Sequence, residues 1–230
     1  ALRQSLDFCY LPGAGADDYR LWNAGKLVPA GSDIIVSVHY TANGKDVVDR
    51  SKIGFTVAKT PPPKKFIVQG SGEDAPVIAP TAANDRAVFA SSYNPEFAIP
   101  PFDANYLAPP MDITFLKDVE IVRLRPHAHV RGKSAQYKLI YPDGREEIAL
   151  QVPRYDFNWQ LSYGTDLKLP KGTRMHIEFR YDNSPNNKNN PDPSRKVYQG
   201  FQSWEEMMAP NLGFVLDRNA NVGGLMSVTN

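Results

Sequence analysis

Apolar side chains recur at every second position through much of this chain, the period of a strand that buries one face. Residues 119–130 show it most sharply: Val122, Leu124, Ala128 and Val130 fall on even positions, and Arg123, Arg125, His127 and His129 on odd ones. The pattern predicts a strand with one core face and one polar face. Residues 174–181 alternate likewise, with Met175, Ile177, Phe179 and Tyr181 inward and His176 on the polar side. Residues 34–40 put Ile34, Val36, Val38 and Tyr40 on one face and Ile35, Ser37 and His39 on the other, and Asn43-Gly44 then supplies a hairpin-type turn. Residues 137–141 and 147–152 flank Pro142-Asp143-Gly144, which predicts a hairpin. Residues 155–161 read as a further strand and 213–216 as a short apolar run. One helical signal stands out: in Ser203-Trp204-Glu205-Glu206-Met207-Met208, Ser203 and Glu206 have capping-box spacing, which predicts a turn or two.

Two segments punctuate these elements. Thr60-Pro61-Pro62-Pro63-Lys64-Lys65 has the stiff, charged composition of a linker, and places a boundary between residues 1–61 and 62–230. Residues 182–196, rich in Asn and Pro, are too long for a simple hairpin turn; the ordinary reading is a solvated surface loop, the alternative an ordered functional one. With 20 prolines, 16 glycines and no run of long helices, the expected class is all-β: a jelly-roll-like antiparallel β-sandwich over 62–230, preceded by the C-terminal part of a second β-sandwich.

Charge narrows the partners. The chain has 230 residues, 26 basic and 25 acidic, with no long basic run, so nothing in it predicts nucleic-acid binding. Mean hydropathy is −0.42 and no apolar stretch nears the roughly 20 residues that span a bilayer, so no membrane span is expected. Cys9 is the only cysteine, which excludes an internal disulfide and every multi-cysteine metal site; with no base or motif beside it, it reads as an unreactive thiol. The start, Ala-Leu-Arg-Gln, has neither an initiator Met nor signal-peptide character, and the chain is expected to be a piece of a longer precursor.

Candidate chemistry centres on two of the four histidines, His127 and His129. At i and i+2 of a strand they share a face, so their imidazoles either converge on a metal ion or stand as two exposed surface histidines. Met207 and Met208 follow the long loop. Methionines usually fill core gaps, but a thioether joining two imidazoles makes a soft site that suits copper, Cu(I) in particular, better than zinc or magnesium.

At these residues the chain resembles a known family. Arg125-Pro126-His127-Ala128-His129-Val130-Arg131-Gly132-Lys133 looks like the stretch carrying the two histidines of the catalytic copper in the copper type II, ascorbate-dependent monooxygenases, which include peptidylglycine α-hydroxylating monooxygenase and dopamine β-monooxygenase. Trp204-Glu205-Glu206-Met207 is similar to the stretch that supplies the third ligand. Val36-Ser37-Val38-His39-Tyr40 resembles the strand giving one histidine to the family's electron-donating copper, and Phe97-Ala98-Ile99-Pro100-Pro101 the segment before the His-x-His strand. Order and separation agree for all four.

The resemblance implies a bacterial, periplasmic or extracellular relative that hydroxylates an activated C–H bond of a small organic substrate with O2 and ascorbate or another reductant. Its copper ligands would be His127, His129 and Met207, with Met208 the fallback if the register slips by one. Arg125 would hold a substrate carboxylate, and His39 would be a remnant of the second copper site. Two departures count against the full assignment. Ala209-Pro210-Asn211 lacks the family's substrate-side tyrosine, and no histidine other than His39 precedes 127, where the family needs an adjacent pair. His176 has no ligand counterpart. The rival expectation is a catalytically inert copper-binding or interaction module on the same sandwich.

Overall fold

The computed structural model describes residues 9–34, 36, 38–40, 43–68 and 96–229. Among them a short 3-10 turn, Tyr19–Trp22, precedes strands β1 (Ala24–Gly25), β2 (Lys64–Val68), β3 (Ala98–Ile99), β4 (Tyr106–Leu107), β5 (Met111–Phe115), β6 (Val119–His127), β7 (Gly132–Ile140), β8 (Glu146–Val152), β9 (Tyr163–Leu169), β10 (Arg174–Tyr181), β11 (Val197–Tyr198), β12 (Ala209–Asp217) and β13 (Met226–Thr229). One sheet runs β1-β2-β12-β6-β9 and the other β13-β5-β10-β7-β8, with β4 also on β10, while β3 and β11 form a small ribbon. All pairings between these strands are antiparallel except β1 with β2.

The two large sheets pack face to face into an antiparallel β-sandwich. Ile113 and Phe115 of β5, Ile177 and Phe179 of β10, and Tyr137 and Leu139 of β7 share one apolar cluster with Ile121 and Leu124 of β6 and Leu212 and Phe214 of β12. Phe115 and Phe214 meet edge to face across the sandwich, ring centres 6.2 Å apart. Burying each such side chain contributes about 1.5–3 kcal/mol. The expected alternation of β10 holds: Met175, Ile177, Phe179 and Tyr181 are all buried, while His176 faces outward to Asp112, 3.0 Å from Nδ1. The β7–β8 hairpin closes as expected through Pro142-Asp143-Gly144, with Gly144 at φ 85°, where a side chain would be strained.

Elsewhere the elements differ from the periodicity. The register shifts between Ile121 and Arg123, so Val122 leaves the face of Leu124 and joins Phe66, Val68, Val215 and Ala24 on the opposite side of the sheet. Tyr19 and Trp22 stack on Phe66 there, at 4.6 and 5.6 Å between ring centres. Of the strand expected over 34–40, Ile35 and Ser37 lie outside the described residues; Ile34, Val36, Val38 and Tyr40 are exposed and belong to no strand, and no strand among the described residues pairs with them. At the expected hairpin turn the chain bends at Gly44 and Lys45, the Asn43 side chain accepting the Lys45 amide at 3.0 Å, with no strand on either side among the described residues. Residues 155–161 are turns, wound by the Trp159 amide on the Asp156 carbonyl, and the strand begins only at Tyr163. The expected unit 1–61 contributes the 19–22 turn and β1 to an edge of the first sheet; the expected unit 62–230 contains every other strand among the described residues. No helix among them is long and apolar enough to cross a membrane.

Candidate metal centre

β6 ends at His127, opposite Ala209 of β12. Continued two residues past the strand ends, that register would set His129 against Met207 and Ala128 against Met208, and directly opposed residues of antiparallel strands point to the same side. Burial agrees. Ala128 and Met208 lie in the sandwich core, whereas Met207, only 7% exposed, belongs to neither apolar cluster. The His127 and His129 rings lie 5.3 Å apart between centres and nearly perpendicular.

Both imidazoles are held by the same nitrogen. Gln160 donates from Nε2 to the Phe157 carbonyl at 2.9 Å, which turns its Oε1 toward His127. That oxygen lies 2.6 Å from His127 Nδ1, so Nδ1 carries the proton and donates it. His129 Nδ1 lies 3.3 Å from the Glu205 carbonyl, which can only accept, so it too donates. Each ring therefore keeps the Nε2 lone pair for a ligand. Burial lowers His127 to about 4 and His129 to about 3, helped by the charge of Arg125 on the first and of His127 on the second. At neutral pH both are uncharged, the state in which imidazole binds a metal.

Glu206 fastens the two chain segments. Fully buried, its Oε2 accepts the His129 amide at 2.8 Å and the Met207 amide at 3.2 Å, and its Oε1 accepts the Arg131 amide at 2.6 Å. Burial raises its carboxyl to about 7, against the pull of those amides. Tyr181 donates to the Met207 carbonyl at 2.8 Å, and the Tyr155 hydroxyl donates to the Ala128 carbonyl at 2.7 Å. Arg131, 1% exposed, reaches Asn183 at 2.8 Å and the Trp204 carbonyl at 2.9 Å.

No family model matches the chain, and none of the curated proteins is detectably similar to it.

Several sequence expectations change here. The odd face of β6 is not solvated: Arg123, Arg125 and His129 are all buried. The capping box does not form, because the Glu206 carboxylate turns inward to the histidine loop; the carboxylate that reaches back is that of Glu205, which accepts the Gln202 amide at 3.1 Å around a single turn. The 182–196 loop is wound from side-chain turns such as Ser184 amide to Asp182 and Asn189 amide to Asn187, and its Asn183 braces Arg131. His39 is exposed, and its charge still adds to the depression of His127 and His129. Gln160 gave no signal in sequence, since it sits in a segment that reads as a strand.

Among the described residues no group of three His, Cys, Asp or Glu side chains could hold a metal. Two imidazoles joined by a thioether would make a soft donor set, which fits copper better than zinc, calcium or magnesium.

Proposed function

We propose that this chain holds one copper ion at His127, His129 and Met207, and that the centre serves a monooxygenase that hydroxylates an activated C–H bond of a small organic substrate with O2 and a reductant such as ascorbate. One observation supports the reading: two neutral imidazoles, each donating from Nδ1, lie beside the chain segment that carries Met207, the Glu206 carboxylate accepting the amides of both His129 and Met207. The resemblance of the surrounding motifs supplies the reaction class.

Bound there, copper would supply one-electron redox chemistry and an open coordination position for oxygen. The chain's own residues orient and shield. Gln160 and the Glu205 carbonyl fix the ring tautomers, and Glu206 fixes the separation of His129 from Met207. Phe157, its ring centre 6.2 Å from that of His129, packs edge to face with that ring, and His127 is half-buried. Arg125, two residues before His127 on the same strand, is the group toward which the resemblance implies a substrate carboxylate. In keeping with its motifs the protein is proposed to work in the periplasm or outside the cell.

A single copper delivers one electron while the reaction consumes more, and His39 is the only histidine before 127. That favours a second reading, a copper-binding module without turnover of its own. Metal loading tests the shared claim. Reconstituted protein should carry one copper per chain by native mass spectrometry, and His127→Ala should retain about a tenth or less at limiting copper; equal loading of the variant would overturn the site. Product formed steadily with ascorbate would decide for the enzyme, and peroxide release alone for the module.

A further inference from the structure

Residues 9–17 lie across the odd face of β6, and the way they are held suggests that they come off. Not one of residues 9–23 is buried. The segment is attached at three points: Asp17 pairs with Arg123 at 2.5 Å, the Pro12 carbonyl accepts the Gln160 amide at 2.7 Å, and the Cys9 carbonyl lies 3.4 Å from Arg125 Nη1. Arg125 beneath it is 4% exposed, yet its Nε has no partner and no carboxylate among the described residues pairs with it. A buried guanidinium normally gains a bidentate acid through Nε and a terminal nitrogen. Here a neutral peptide carbonyl, at long range, stands in that place.

We propose that residues 9–17 form a displaceable strap that occupies the acid-binding position of Arg125, so that an organic carboxylate binds there only by lifting the strap. The charge count selects the ligand. Arg123 is already paired with Asp17, which leaves Arg125 as the guanidinium of this face with no acid partner among the described residues, a single positive charge matched by a monoanionic carboxylate rather than a phosphate. The strap also touches the metal centre indirectly. Lifting it frees the Gln160 amide from Pro12, and Gln160 is the residue that holds His127. Carboxylate binding and the setting of His127 are thereby joined through one side chain. The inference rests on the reading above only for the place of Arg125, and its test uses metal-free protein, so loss of copper binding and failure of the strap are told apart.

Gly13 provides the handle. It sits at φ 87°, and a Cβ there would lie 3.2 Å from the Gln160 nitrogen and from the Trp159 Cα. Gly13→Val should therefore raise the strap while leaving Asp17 on Arg123, and no competing cation is released. Benzoate is the probe, in full-length metal-free protein, with affinity from calorimetry and the Gln160 amide followed by hydrogen exchange. Gly13→Val should bind benzoate about tenfold more tightly than wild type, because the competent state no longer competes with the strap. The Gln160 amide should exchange faster in that variant and in wild type saturated with benzoate. Arg125→Gln placed in Gly13→Val should abolish binding; should that pair fail to fold, Arg125→Lys, which keeps charge but loses the fork, should weaken it at least about fivefold. Equal benzoate affinity in wild type and Gly13→Val, binding that survives the loss of Arg125, or a Gln160 amide indifferent to benzoate would each overturn the proposal.

Discussion

Gln160 Oε1 accepts a hydrogen bond from His127 Nδ1 at 2.6 Å, and that contact decides which nitrogen of His127 is free for a metal. Gln160→Leu keeps the volume but leaves the ring free to rotate and to change tautomer. Copper(I) affinity should fall about 10–100-fold, as for other residues that orient a metal-binding histidine. Competition with a chromophoric chelator measures it, and unchanged affinity would contradict the assigned role.

Glu206 is the second support. Glu206→Ala leaves the buried amides of His129, Met207 and Arg131 without their acceptor, and the side chain of Arg131 without its nearby charge. Urea unfolding should show a loss of about 3–5 kcal/mol, the range for removing one partner of a buried charge. Glu206→Gln, which keeps one accepting oxygen, should lose less. A change below about 1 kcal/mol in Glu206→Ala would mean that the loops are held otherwise.

Much of the sandwich was legible because β7 and β10 bury every second side chain, so side-chain period and strand period coincide. What failed to show did so for physical reasons. The shift at Ile121 and Arg123 inserts a residue, and no alternation survives that. Ile34, Val36, Val38 and Tyr40 have strand character but no partner strand among the described residues. At the site, His127, His129 and Met207 were readable as candidates from residue type and a resemblance of motif. Gln160 and the inward turn of Glu206 were not, because each acts through a contact more than 30 positions away in sequence.

Tyrosine hydroxyls in the core should separate by their bonds. Tyr137 is fully buried with an unpartnered hydroxyl, so Tyr137→Phe should be neutral or stabilising by up to about 1 kcal/mol. Tyr181→Phe, which strips the bond to the Met207 carbonyl, should cost about 1 kcal/mol. Thermal or urea unfolding of the two variants gives the comparison, and a larger loss in Tyr137→Phe would contradict it.

Asp112 gives the fold an acid-sensitive contact. Burial alone would raise its carboxyl, but hydrogen bonds from His176 and Arg174 outweigh that and hold it below the usual range. A carboxyl lowered in the folded state stabilises fully above its unfolded value of about 3.9, and that contribution is lost as pH falls through the folded value. Asp112→Asn should therefore be less stable than wild type at neutral pH, and the gap should close in strong acid. A gap that widens on acidification would contradict the sign.

The central claim is that His127, His129 and Met207 bind one copper ion together, with Met208 left in the core. X-ray absorption on the Cu(I)-loaded protein tests it most directly. The account predicts a sulfur scatterer beside two imidazole nitrogens in wild type, its retention in Met208→Leu, and its disappearance in Met207→Leu. A sulfur signal that persists without Met207, or none in wild type, would contradict it.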